Sequence, residues 1–269
     1  MEFRAGTISL LARMSTCLLL SVGAVTAQTV LPSGYFGFLL STSFTDSTNQ
    51  GGAAILGLMN FDGAGNVKGS FTLEYGSGGP LPAETINGTF TGTYSSTNGA
   101  GSIALTLSSG ISLALDMVIA DGGRGLELVA TSCSGAVGID LSTSVLSGIG
   151  AQSKGGTSLS VGALQGSYGA QFTFSPQASR EVSVASFDGA GNVTLSGTFV
   201  GTGPSVSSAT YTGTYTVKRN ATGTITLAPQ PGQSAQTFVF VITDEGGHGL
   251  LLLQTNRVGN GVAFGTARL

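Results

Sequence analysis

The sequence has no Trp, one His and two Cys in 269 residues, and only 9% of it is charged. Each shortage removes a class of chemistry. One histidine cannot build a zinc site, which takes a cluster of His and Cys ligands. A Ser/His/Asp triad would have to run through that residue, His248, which sits in the turn signal "DEGGHGL" from Asp244 with no supporting motif. Of the two cysteines, Cys17 falls in the N-terminal apolar stretch and Cys133 is left alone, so the mature chain has no intramolecular disulfide. A lone cysteine with no base beside it reads as a filler or an incidental thiol, not a nucleophile. Without Trp, the flat aromatic platforms of many sugar-binding surfaces are missing. The net charge is -3 and no Lys/Arg run occurs, so there is no footprint for nucleic acid or for an anionic membrane surface. Counting alone does not exclude paired carboxylates for glycoside hydrolysis, but the acids are scattered, and Asp62/Asp188 and Asp121/Asp244 are the main ones repeated between copies. These absences lead to the expectation of no enzyme activity, no metal and no cofactor.

Helical periodicity is absent too, and 44 Gly are too many for stable helices. What is present is alternation. From Ile86 to Tyr94 one parity carries Ile86, Gly88, Phe90, Gly92 and Tyr94, and the other Asn87, Thr89, Thr91 and Thr93. Leu113, Leu115, Met117 and Ile119 form a second stripe of period two. A sheet with one buried face requires this pattern. At the N-terminus, Arg4 and Arg13 precede an apolar stretch from Met14 to Val25, and Val25-Thr26-Ala27 fits a small-residue cleavage site. The stretch is shorter than the roughly 20 residues a membrane span needs. Residues 1–27 are therefore expected to be a signal peptide, with a mature start near Gln28 and no transmembrane segment after cleavage.

The mature chain reads as a duplication. "FDGAGNV" starts at Phe61 and again at Phe187. Phe90 to Tyr94 ("FTGTY") returns as Tyr211 to Tyr215 ("YTGTY"), "NGAGSIALTL" from Asn98 as "NATGTITLAP" from Asn220, and "VIADGGRGLELVAT" from Val118 as "VITDEGGHGLLLLQT" from Val241. Each copy opens alike, at Gly34-Tyr35-Phe36-Gly37 and Gly166-Ser167-Tyr168-Gly169. "FDGAGNV" lies between strand runs, and its Asp, Asn and Gly are the residues a tight turn needs. No helix follows to hold a phosphate. Two side-chain oxygens per copy fall short of the six to eight that calcium takes. The "DGGRGL" loop from Asp121 reads as a turn for the same reasons.

Paired units with a G-x-Y/F opening, an "FDGxGN" hairpin, a "TGTY" strand and a "GxGxLxL" strand resemble secreted bacterial repeat proteins of unknown function. That resemblance implies a fold and no catalytic residues. A second, weaker likeness is to the calycin (lipocalin-like) barrels, in which Gly166-Ser167-Tyr168 and Arg268 would take the parts of the G-x-W opening and of the Arg that packs over its aromatic ring.

The expected fold is all-β: two tandem antiparallel up-and-down β-barrel-like domains of about eight strands each, with β-sandwiches as the alternative. The expected boundaries are 28–139 for the first domain, 140–164 for a Ser/Gly-rich linker and 165–269 for the second domain. Strands in the second unit are expected near 166–174, 181–187, 193–201, 208–217, 223–228, 236–243, 249–255 and 261–268. An outer-membrane barrel would need longer strands with an apolar lipid face. The leading functional expectation is an exported, non-enzymatic protein that binds a small apolar ligand inside a barrel, at Phe90, Tyr94, Tyr211 and Tyr215. The competing one is a structural or adhesive cell-envelope module whose barrels are filled. Gly88, Gly92 and Gly213 on the inward parity would leave a cavity; the four aromatics would fill one. The location would be periplasmic, secreted or at the cell envelope.

Overall fold

The computed structural model describes residues 31–45, 50–76, 84–135, 145–153, 159–176, 179–201, 206–228, 235–243, 249–255 and 261–269. The expected signal peptide, Cys17 and residues 244–248 of the "DEGGHGL" motif, His248 among them, lie outside them. The first barrel is β1 (Ser33–Thr45), β2 (Gln50–Asp62), β3 (Asn66–Gly76), β4 (Glu84–Thr97), β5 (Ala100–Leu107), β6 (Ser112–Ala120), β7 (Gly125–Ser134) and β8 (Ser147–Gln152). The second is β9 (Gln165–Ser175), β10 (Ser179–Asp188), β11 (Asn192–Val200), β12 (Val206–Val217), β13 (Thr222–Leu227), β14 (Gln236–Thr243), β15 (Gly249–Gln254) and β16 (Val262–Arg268). Each set is a closed antiparallel barrel in sequence order, sealed by β1 on β8 and by β9 on β16. Two up-and-down barrels therefore stand, and the sandwich alternative does not. Closure leaves no unpaired edge, the solution open to a chain whose surface has few charges to guard one.

The linker expectation needs correction. Residues 147–152 lie within the stretch read as linker, yet they form β8, which pairs with both β7 and β1 and completes the first barrel. Ser147-Gly148-Ile149-Gly150 carries little side-chain bulk and gives no apolar alternation, so its strand character comes from its two neighbours. The first barrel thus runs to Gln152, past the expected limit of 139.

Alternation does what the sequence promised. On β4, Phe90 and Tyr94 are buried while Thr85, Asn87, Thr89, Thr91, Thr93, Ser95 and Thr97 are exposed. Hydroxyls facing outward pair across strands: Ser95 with Ser102 at 3.2 Å, Ser196 with Thr210 at 3.0 Å, and Thr216 with Thr224 at 2.8 Å. Three apolar clusters result. Two fill the barrels. The third, built from Leu39, Ala54, Leu56, Leu58, Val241, Leu251, Leu253 and Val262, joins the outside of the first barrel to the outside of the second. At that seam Ser153 bridges to Thr243, the Ser153 hydroxyl donates to the Ile242 carbonyl at 2.7 Å, and the Ser175 hydroxyl donates to the Thr42 carbonyl at 3.2 Å. Gly37 is needed there because a Cβ would lie 2.8 Å from Val241 Cγ1.

Candidate functional site

The repeated motifs converge on one unit, used once per barrel. In each "FDGAGNV" turn an aspartate holds the loop by itself. Asp62 Oδ1 accepts from the backbone N–H of Ala64 at 2.7 Å and of Asn66 at 2.9 Å, while Asn66 Nδ2 donates to Oδ2 at 2.7 Å. Asp188 receives the same bonds from Ala190, Asn192 and Asn192 Nδ2 at 2.7, 2.9 and 2.6 Å. The Asn side-chain bonds, followed by the backbone ones, hold both carboxyls below the usual aspartate range. The glycine carbonyl of each turn then accepts from the tyrosine of "TGTY", Tyr94 N to Gly65 O and Tyr215 N to Gly191 O, both at 2.8 Å. The turn reading of the motif is thus spelled out bond by bond.

Those tyrosines lie inside. Phe36, Phe61 and Tyr94 stack edge to face with centroids 5.5 and 4.8 Å apart; Tyr168, Phe187 and Tyr215 repeat this at 5.3 and 5.0 Å. Such contacts stabilise beyond the area they bury. Each hydroxyl reaches the segment that precedes the barrel's first strand. Tyr94 donates to Pro32 O at 2.7 Å, and Tyr215 shares its proton between Val161 O and Leu164 O, both at 2.9 Å. Leu31 packs on the first core, and Leu164, after the 3-10 turn Val161–Ala163, on the second.

The four residues proposed to line the lumens are where sequence parity put them. Phe90, Tyr94 and Tyr215 are buried, and Tyr211 is half-buried against the second core. They fill the space. Among the described residues, a void of about 20 Å³ lies in the second barrel, walled by residues such as Ala170, Phe172, Phe187, Leu195, Ile225 and Phe238. The glycines expected to open a cavity do not. A Cβ on Gly92 would run into the Ala104 carbonyl, one on Gly213 into the Thr226 carbonyl, and one on Gly88 into the Ser108 hydroxyl. These positions mark close approach of neighbouring strands, as expected where a sheet coils tightly. Tyr168 points inward, while Arg268 is exposed on the other parity of β16, paired with Gly169. On strands such as β4 the described residues are apolar inside and carry hydroxyls outside, the reverse of the apolar lipid face of a membrane-spanning strand. Among the described residues no helix is long and apolar enough to cross a membrane.

One ionisable group is buried in the seam region. Glu74 on β3 is 2% exposed and faces out of the first barrel, opposite Ala54 of the joining cluster. The Thr85 hydroxyl lies 2.5 Å from Glu74 Oε2 and 2.9 Å from the Thr255 carbonyl of the second barrel. The Thr85 hydroxyl is the donor to both oxygens, so it ties Glu74 to the second barrel. Burial pushes the Glu74 carboxyl up to about 7, against a smaller opposing effect of the Thr85 bond. Cys133 is half-buried against the first core and burial raises its thiol, the reverse of an activated nucleophile. Arg124 follows the 3-10 turn Asp121–Gly123 and is exposed, consistent with a plain turn.

Sequence reasoning missed the seam. Its signal was there: Ala53-Ala54-Ile55-Leu56 and Leu250 to Leu253 break the alternation because both faces of these strands are buried. No protein-family model matches the chain, and no curated protein does. Among solved structures it is similar to the crystal structure of a protein of unknown function from the DUF3598 family of Nostoc punctiforme PCC 73102. The identity is 10%, the coverage 88% of this chain and 95% of that chain, and the TM-score 0.24.

Proposed function

We propose that the chain is an exported, non-enzymatic structural or adhesive module of the cell envelope, with barrels filled by their own side chains. The observation that carries this reading is the packed lumen. A void of about 20 Å³ in the second barrel compares with roughly 300–1,000 Å³ for pockets that hold small molecules, and the first lumen holds its own buried cluster of aromatic and aliphatic side chains. The aromatic stacks occupy the positions a lipocalin-like ligand would take. The outward stripes of Thr and Ser leave an uncharged, hydrogen-bonding exterior suited to lying against other hydrated surfaces. Native mass spectrometry of residues 28–269, purified without detergent from the source cells, tests the reading. A bare protein mass, with no uptake from a panel of lipids and hydrophobic dyes, is the expected result. Extra mass lost on denaturation would overturn it in favour of the apolar-ligand alternative.

A further inference from the structure

The duplication supplies a template for contacts the single chain leaves unmade. At the seam, the first barrel presents β1 and β2 through Leu39, Ala54, Leu56 and Leu58. The second presents β14 to β16 through Val241, Leu251, Leu253 and Val262. These are different strands of the repeated unit, so the contact is head-to-tail. Each barrel therefore owns a second face, equivalent to the one its partner barrel uses, that no described residue buries.

Matching strand registers identify those faces. With "FDGAGNV" aligned, Ala54, Leu56 and Leu58 correspond to Arg180, Val182 and Val184 on β10. In the same way the pairs Val239 with Leu253 and Val241 with Leu251 correspond to Asp116 with Val129 and Val118 with Glu127. Val262 corresponds to Val145, two residues before the strand that pairs with β7. The buried seam residues thus have exposed counterparts: Val182 is 65% exposed, Val184 48%, Val118 54%, Val129 39% and Val145 68%. These five are the majority of the eight large hydrophobics exposed among the described residues, so exposed apolar surface is concentrated on the two unused faces. Each face also carries a shallow, open depression. Val182, Val184, Ser196 and Thr198 line an open groove of about 500 Å³, and Asp116, Val118, Glu127, Val129 and Ile149 one of about 380 Å³.

The charges decide between a blocked face and a docking face. Uncharged seam positions have become Asp116 and Glu127 on the first barrel and Arg180 on the second. In a chain with so few charges, the two unused faces carry opposite signs. Complementary signs favour the pairing of one face with the other.

We propose that the chain self-associates, the β9–β10 face of one copy docking on the β6–β8 face of another in the manner of the internal seam. On an eight-stranded barrel two strands of separation turn a face by about 90°. The docking faces of a barrel centre near β1 and β7, or β9 and β15, which are two strands apart in the closed order. Four barrels then close a ring, so the expected assembly is a pair of chains with Arg180 of each facing Asp116 and Glu127 of the other. This goes beyond the envelope reading and does not depend on it, since a ligand-binding chain could pair in the same way.

Sedimentation velocity across a concentration series tests it. Two chains per particle at micromolar concentration are expected. Arg180→Glu, at an exposed site, weakens the pair at least about ten-fold, and so does Asp116→Arg with Glu127→Arg. Combining all three substitutions restores it by exchanging the signs. A chain monomeric at the highest soluble concentration overturns the proposal and makes these charges a guard against association. Failure of the exchanged variant to recover pairing also overturns it, whatever the mass spectra say of a ligand.

Discussion

Strand β15 allows the two-barrel packing to be tested one carbon skeleton at a time. Leu250 and Leu252 belong to the core of the second barrel, and Leu251 and Leu253 to the seam. All four are at most 3% exposed, so burial alone does not tell them apart. Leu251→Ala and Leu252→Ala each remove the same buried atoms and leave a cavity, costing about 2–5 kcal/mol in the whole chain. A chain shortened to residues 154–269 separates them. The second barrel keeps its own closed sheet and core there, but Leu251 loses the surface of Leu39, Leu56 and Leu58 and becomes a solvent-facing side chain. Leu252→Ala should keep its full cost, while Leu251→Ala should fall to within about 0.5 kcal/mol of zero. Urea denaturation followed by tyrosine fluorescence reads both, since the chain has no Trp to obscure it. If Leu251→Ala destabilised the short and whole chains equally, Leu251 would be a core residue and the head-to-tail seam would be wrong.

Two further outcomes follow from the polar contacts. Glu74 is pushed from 4.5 to about 7 in the folded chain, so its contribution is fully present below its unfolded value and is lost as pH rises through about 7. Up to about 3 kcal/mol disappears across that window. Glu74→Gln cannot ionise, so urea midpoints that fall between pH 5 and 8 in the parent should stay level in the variant; parallel curves would refute Glu74 as the source of the pH dependence. Tyr215→Phe removes the hydroxyl shared by Val161 and Leu164, costing about 1 kcal/mol. Faster hydrogen exchange should be confined to the amides of Ala163 and Leu164, which bond within that turn, and uniform acceleration across the barrel would refute the local character of that tie.

The sequence carried the barrels because each strand with one buried face writes its own alternation. Seven outward hydroxyl or amide residues on β4, with Phe90 and Tyr94 between them, leave one reading. Strand limits in the second unit came within a few residues for the same reason. Where burial comes from outside the unit, the pattern fails. Leu250 to Leu253 records two neighbours on two sides, and only the second barrel's partner explains the second side. β8 was hidden for the opposite reason: Ser147, Gly148 and Gly150 put no side-chain signal into the sequence, and the strand exists because β1 and β7 each offer it a ladder. The inward glycines misled because sequence gives the missing Cβ but not the carbonyl that already occupies its place.

The two halves act as an internal control on which residues do which work. Residues that recur are those that hold one barrel shut: the Asp–Asn turn, the aromatic triad, and the tyrosine whose hydroxyl ties down the preceding segment. None of these lies in the joining cluster. Several docking positions, by contrast, differ between the copies. Leu56 and Leu58 in one copy are Val182 and Val184 in the other; Leu251 is Glu127, and Ala54 is Arg180. The direction of the change tracks burial. The covered copy of each face is uncharged, while the uncovered copy carries charge and has valine where Leu56, Leu58 and Leu253 stand in the covered copy. A face needed only as solvent-exposed surface would have no reason to keep β-branched apolar side chains at 65% and 48% exposure beside a charge opposite to that of its complement. Retained apolar contact with added complementary charge is what a weaker, reversible version of the seam requires, and it sets the between-chain contact below the within-chain one in strength.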